Sequence, residues 1–268
     1  MIEIKNISLS YDKKIVLEDI SLNLKEKSFI GIIGKNGVGK STLLKTITGL
    51  LKPVNGNIFI DDKDIYQMKK NVLAKKISFM PQSMQFDFSF NVKDFIMFGR
   101  YPYINMFKLA SAEDFKTVNE IMDFTETTEF SKRNINELSG GEKQKVLLAQ
   151  TLVQQTDIVC LDEPTSHLDI GSQATIFRLL KMLNEKYNKT IITTVHDLNL
   201  AGEFCSDVVL LNNKKVFNFG TAEKVLNYKD IEKIYNTKVV VKTNPVSNKP
   251  IVIPIYNQKG MNNNYFNP

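Results

Sequence analysis

The residues best suited to chemistry lie in the run Gly34-Lys35-Asn36-Gly37-Val38-Gly39-Lys40-Ser41-Thr42. Its spacing is G-x-x-x-x-G-K-[ST], the pattern of a phosphate-cradling P-loop. Glycines at these positions let backbone N–H groups curl round a phosphate chain without side-chain clashes. Lys40 can reach the β- and γ-phosphates, and the Ser41 hydroxyl can ligate Mg²⁺. Gly34, Asn36, Gly37, Gly39 and Thr42 are assigned to the same cradle. A pair of carboxylates, Asp162 and Glu163, directly follows the apolar run Ile158-Val159-Cys160-Leu161. A carboxylate at the end of a buried strand facing such a loop completes the Mg²⁺ site, a role for Asp162 directly or through water. The adjacent Glu163 can polarise a water for in-line attack on the γ-phosphate. Without the loop, the same two residues would read as an exposed turn before Pro164.

A third stretch, Leu138-Ser139-Gly140-Gly141-Glu142, admits two readings. Ser139 and Glu142 satisfy a helix capping box and need no further role. Two adjacent glycines behind a capping serine also leave a bare helix N-terminus suited to an anion. A second, incomplete phosphate site makes sense if it completes a site on another copy of the chain.

These residues need elements to hold them. Phe29-Ile30-Gly31-Ile32-Ile33 reads as a buried strand entering the loop, and Leu43, Leu44, Ile47, Leu50 and Leu51 recur at helical spacing beyond it. The helix N-terminus adds unpaired donors and partial positive charge. Ile20, Leu22 and Leu24 alternate with polar residues as in a half-buried strand; residues 56–62 read as turn, strand, turn, and 77–82 as a strand ending at Pro81. Residues 90–155 turn helical. Ser111 and Asp114 predict a capping box, Phe115, Val118 and Met122 a shared face, and residues 131–137 a polar loop. Strand and helix then alternate: strands at 190–195 and 208–211, a helical stripe at Ile176, Leu179, Leu180 and Leu183, and a helix at Leu198, Ala201 and Cys205. That alternation predicts a mostly parallel sheet covered by helices, with phosphate at the carboxyl ends of its strands. Residues 221–268 predict two short helices, a hairpin pairing Val239–Val241 with Ile251–Ile253, and a frayed Asn-rich end.

The chain has 268 residues, 43% of them hydrophobic, enough for one large domain with a smaller insertion. No apolar stretch approaches the ~18–20 residues of a membrane span, and the N-terminus lacks the pattern of a signal peptide. Cys160 and Cys205 lack metal spacing and read as free thiols in a reducing compartment. The expectation is an intracellular protein, soluble or held at a membrane by a partner. Net charge is +6, but the lysines come in ones and twos, such as Lys69-Lys70 and Lys75-Lys76. They read as solvated faces, and no nucleic-acid partner is expected.

In their order and approximate spacing the three motifs resemble those of the ATP-binding subunit of an ABC transporter. The resemblance covers about residues 1–220. It implies an α/β fold: a P-loop NTPase (RecA-like) core over 1–85 and 156–220, with an N-terminal antiparallel β subdomain and an inserted ABC helical subdomain at about 86–155. Residues 221–268 then form a C-terminal appendage. Gln82 fits the family position that contacts Mg²⁺ and water and begins the segment sensing the membrane partner. Ser166-His167-Leu168-Asp169 fits the loop that touches the opposite subunit, with Asp169 counted among the nucleotide-site residues and His167 given no proton chemistry. His196 fits the switch histidine that contacts the γ-phosphate, and Tyr11 the aromatic that stacks on adenine. The resemblance therefore assigns catalysis to Glu163, His196, Gln82 and Lys40, metal binding to Ser41, Gln82 and Asp162, and ATP and Mg²⁺ as cofactors. Cys160 stands where the family has an aliphatic residue, and Thr151 where alanine is common; neither change removes a catalytic group.

A finer resemblance links Phe90-Asn91-Val92 through Gly99-Arg100-Tyr101-Pro102-Tyr103, His196 to Ala201, and the tail from Thr243 to Pro254 with importers of iron–siderophore complexes, haem and vitamin B12. It implies two copies meeting head to tail, each ATP held between Gly34–Thr42 of one and Ser139–Glu142 of the other. Further implied partners are an integral membrane permease and, indirectly, an extracytoplasmic substrate-binding protein. The location implied is the cytoplasmic face of the cell membrane. The rival expectations are a soluble ABC ATPase acting on nucleic acid or ribosomes, and a non-hydrolysing scaffold subunit.

Overall fold

The structure is a computed structural model, which describes residues 1–12, 14–84, 89–104, 109–166 and 168–256. Alternation near the N-terminus produces β1 (Ile2–Tyr11) and β2 (Lys14–Leu24), with Leu17, Ile20, Leu22 and Leu24 of β2 turned inward. β3 (Phe29–Ile33) is buried along its whole length, as a central parallel strand must be. Helix α1 (Lys40–Ile47) follows and is shorter than the leucine periodicity predicts. Its C-cap falls on Thr48, Gly49 takes φ 75°, and Leu50 stands 61% exposed. A glycine in the left-handed region is the usual way a helix stops and turns.

Next come β4 (Asn55–Ile60), β5 (Lys63–Asp64), α2 (Lys70–Ala74) and β6 (Ile77–Met80). The helical segment contains α3 (Val92–Met97), α4 (Ala112–Phe124) and α5 (Gly140–Leu152). The predicted capping boxes at Ser111/Asp114 and Ser139/Glu142 both form. Phe115, however, is 48% exposed, while Asp114, Val118 and Met122 are buried. Those three repeat every four residues, and Phe115 sits one position off their row. The polar loop at 131–137 also departs from expectation, because Ile135 is buried within a 3₁₀ turn at Ile135–Glu137. The chain then runs through β7 (Ile158–Asp162), α6 (Ile170–Tyr187), β8 (Thr190–Thr194), α7 (Leu198–Phe204), β9 (Asp207–Asn212) and β10 (Lys215–Thr221). It finishes with α8 (Ala222–Val225), α9 (Tyr228–Tyr235), β11 (Val239–Thr243) and β12 (Pro250–Pro254).

A six-stranded sheet has the order β10-β9-β3-β8-β7-β6, parallel except for β10. A four-stranded antiparallel sheet, β2-β1-β4-β5, packs beside it. Ile30 and Ile32 of β3 face α1 and the four-stranded sheet, while Phe29 and Ile33 face the other helices. On that second face Phe29 stacks on Phe177 of α6 at 6.1 Å. The hairpin β11-β12 pairs as expected, with Val240 opposite Ile253. The segment from Ala222 on is more firmly held than an appendage. Val225, Leu226, Ile231, Ile234, Val239 and Val252 all join the main core. The end predicted to fray, residues 260–268, lies outside the described residues.

One close approach holds the helical segment together. At Gly99 a Cβ would overlap the Gln150 carbonyl oxygen and the Val153 side chain of the facing helix. The next residue, Arg100, is buried and donates to Asp114, at 2.9 Å, and to the Val153 carbonyl, at 3.0 Å. Gly99→Ala is therefore expected to destabilise the chain by about 3 kcal/mol, the upper end for overpacking, because backbone cannot swing aside. A urea titration checks this, and an unchanged midpoint would refute it.

Candidate active site

The phosphate-cradling loop runs from the carboxyl end of β3 into α1, between β8 and β9, as the alternation predicts. Gly39, the N-cap of α1, has φ 107°, and a Cβ there would sit 2.9 Å from Leu17. Gly37 has φ 76° with open space where a side chain would be. Lys40 is buried, and its ammonium donates to the carbonyl oxygens of Gly34, at 3.0 Å, and Lys35, at 3.3 Å. Burial pulls that ammonium below the ordinary lysine range, against the opposing pull of Glu163 and Asp162.

The register of the sheet delivers the carboxylates. Asp162 ends β7 opposite Thr194, the last residue of β8. Oδ1 of Asp162 accepts from the Ser41 hydroxyl at 2.8 Å and from the Thr194 hydroxyl at 2.8 Å. The Glu163 N–H donates to Thr194 Oγ1 at 2.8 Å. Glu163 itself is turned into the left-handed region, φ 49°. A non-glycine there stores on the order of 1 kcal/mol or more of strain, which its surroundings must hold. The Glu163 carboxylate is gripped from two sides: Gln82 Nε2 donates to Oε2 at 2.6 Å, and His196 Nε2 contacts Oε1. The His196 side chain is 44% exposed.

A cavity of about 480 Å³ is lined by Asn36, Gly37 and Gly39 to Thr42 of the loop with Tyr11, Gln82, Glu163 and His196. Tyr11 ends β1 at the rim, 47% exposed. A neighbouring cavity of about 420 Å³ shares Asn36, Gln82, Glu163 and His196 and extends past Ser166. The Ser41 hydroxyl and Asp162 carboxylate make an oxygen pair suited to a hard divalent cation, and Lys40 with the loop amides suits a polyphosphate.

Ser139, Gly140, Gly141, Glu142 and Asp169 line neither cavity. Ser139 caps α5, its N–H donating to Glu142 at 2.7 Å. Hydrogen bonds from Ser139, with help from Arg133, hold the Glu142 carboxyl below the usual range. At Gly140 an added Cβ would meet nothing within 4 Å. Asp169 caps α6, accepting the Ser172 N–H at 3.0 Å. His167 lies outside the described residues.

Three participants escape sequence reasoning. Thr194 reads as one more β-branched strand residue, yet it supports both carboxylates. Arg133 sits in a polar loop, yet it donates to Glu142 at 3.0 Å and to the Glu137 carbonyl at 3.1 Å. Gln144 is buried on α5 with an unpartnered Nε2. No periodicity marks any of them; the pairing Asp162–Thr194 is the only signal that could have.

Comparison with known proteins points to one family. The ABC transporter family profile matches residues 17–166. A petrobactin import ATP-binding protein of Bacillus anthracis is 35% identical over 94% of this chain and 93% of its own length. An achromobactin transport ATP-binding protein of Dickeya dadantii is 33% identical over 95% of both chains. Among solved structures, a metal-chelate type ABC transporter in an inward-facing conformation superposes with TM-score 0.83 at 27% identity, covering 95% of this chain and 97% of the other. An ATP-binding cassette dimer in a post-hydrolysis state with ADP and phosphate superposes with TM-score 0.72 at 30% identity, covering 83% and 99%.

Proposed function

From the premise that the chain belongs to the ABC transporter family, as the ATP-hydrolysing subunit of an iron-chelate importer, we propose how its residues divide the work. The carrying observation is the convergence of Lys40, Ser41, Glu163, Gln82 and His196 on one cavity, with the buried Asp162 bonded to Ser41 behind it. Lys40 and the amides of Gly34–Thr42 hold the β- and γ-phosphates, and Tyr11 at the rim stacks on the base. Ser41, Asp162 and Gln82 would hold Mg²⁺, which supplies charge neutralisation at the phosphates when bound. Glu163 takes the proton of the attacking water. Its two carboxylate contacts and the hydrogen bond on its N–H fix it where an in-line attack needs it. His196 holds Glu163 and reaches the γ-phosphate side of the cavity.

Ser139, Gly140, Gly141 and Glu142, with Asp169, serve the site of a second copy. The helical segment at about 86–155 carries motion to an integral permease. Phe98, Tyr101 and Leu109 stand exposed there, apolar surface that a partner would cover. Among the described residues no helix is long and apolar enough to cross a membrane, so the membrane work falls to that partner. The subunit acts at the cytoplasmic face, and an extracytoplasmic binding protein delivers the chelate to the permease.

The test is uptake of a radiolabelled iron(III)–siderophore in cells lacking this chain, with a tagged copy restored. Wild type is expected to restore ATP-dependent uptake and to co-purify with a hydrophobic permease, and Lys40→Ala is expected to restore none. Salt-sensitive nucleic-acid binding with no permease would overturn the reading.

A further inference from the structure

We propose that the C-terminal hairpin is a strut that positions His196 through Asn199. The proposal rests on the role given to His196 above. His196 lies in the short link between β8 and α7, and its half-exposed ring has Glu163 as its hydrogen-bonding partner. On one side the backbone is fixed by buried Val195, whose N–H donates to the Ile32 carbonyl at 3.0 Å; on the other the ring's placement depends on the helix that follows. Helix α7 is seven residues long and begins at the Asp197 cap, which accepts the Asn199 N–H at 2.7 Å. A helix so short is not stable by itself and takes its position from tertiary contacts.

The far side of α7 packs on β3 and α6, where Phe204 meets Phe177 at 5.2 Å, and its first turn is tied to the hairpin. Asn199 Oδ1 accepts the Val252 N–H at 2.8 Å. Val252 lies opposite Val241 in the hairpin, yet its N–H points away from β11 and is satisfied on α7. One turn along the helix, a Cβ at Gly202 would sit 2.6 Å from the Pro250 carbonyl oxygen, so β12 lies directly against the helix backbone. At the far end the Ser247 hydroxyl donates to Glu203 at 2.6 Å. Val252 and Val239 anchor the other side of the hairpin in the core that contains Ala201, Ile231 and Ile234. A continuous chain of contacts therefore runs from β12 through Asn199 and Asp197 to His196 and Glu163. Asn199 is a positioning residue: it acts on hydrolysis through His196, without touching nucleotide. This gives the tail a function: a change that loosens the tie between Val252 and Asn199 acts on the rate of hydrolysis and spares ATP binding.

The experiment measures steady-state ATP hydrolysis by the full chain carrying Asn199→Ala, Asn199→Asp, His196→Ala and the Asn199→Ala/His196→Ala pair. Asn199→Ala is expected to lower kcat on the order of 10-fold, because misplacement of about 1 Å at a reacting group can cost up to 10²-fold. KM for ATP should stay within about 2-fold, since the P-loop is untouched. Asn199→Asp keeps the acceptor oxygen and should recover most of kcat. In the His196→Ala background, Asn199→Ala should have no further effect, because coupled residues are non-additive. Equal factors in both backgrounds, or an unchanged kcat in Asn199→Ala, would overturn the strut. A His196→Ala chain that hydrolyses ATP at the parental rate would instead overturn the underlying assignment of His196. If Asn199→Ala does not fold, Ser247→Ala removes the second tie at Glu203 and is read by the same cycle.

Discussion

Glu163→Gln is expected to bind ATP, to hydrolyse it on the order of 10²–10⁴ times more slowly, and to accumulate as an ATP-bound dimer. That factor is what a positioned proton-transfer group contributes. Glutamine has nearly the shape of glutamate, so the left-handed backbone at 163 and the N–H bond to Thr194 remain. Lys40, Ser41 and Asp162 are also unchanged, so the nucleotide cradle is kept. What is lost is the acceptor that takes a proton from water. If closure on ATP precedes hydrolysis, a chain that closes without hydrolysing stays closed. Phosphate release measures the first effect, and light scattering with and without ATP measures the second. Turnover at the parental rate would remove Glu163 from the role of base.

Gly140→Asp is expected to leave folding intact and reduce hydrolysis by 10²-fold or more. No atom lies within 4 Å of the added Cβ, and the position is the first residue of α5. A carboxylate in the first turn of a helix is neutral or mildly stabilising. Any loss of activity therefore comes from what the helix end meets outside its own chain. In the dimer proposed above that is the γ-phosphate of the other copy, where one lost donor would cost about 10²–10³ and a negative charge would add repulsion. Nucleotide binding to the single chain should persist, as read by equilibrium dialysis at low protein concentration. Full activity with an unchanged melting profile would place the helix end outside the site.

These two positions also show what was legible in the sequence. Gly34–Thr42 and Ser139–Glu142 are local devices whose spacing along the chain is their geometry, so each can be read from a few residues. The order of strands and helices was legible for a similar reason, since burial on both faces leaves β3 and β7 as short apolar runs and β8 as a short β-branched run. Errors fell where local pattern and packing part. Leu50 continues the leucine period but lies beyond the Gly49 turn, and Phe115 is apolar but off the row that α5 covers. Thr194 and Asn199 were invisible because their partners lie 32 and 53 residues away. The tail looked like an addition because it follows the last motif, whereas Val225, Leu226, Ile231, Ile234, Val239 and Val252 are part of the main core.

The open face of Gly140 has a further consequence for where ATP is spent. In the proposed dimer a lone copy would hold two unlike halves and no whole site, so hydrolysis is expected to be second order in the free chain and to fade on dilution. A partner that seats two copies raises their effective concentration to the millimolar range. On the proposed arrangement, spare subunits would be an idle stock, and ATP would turn over where a membrane partner has gathered a pair.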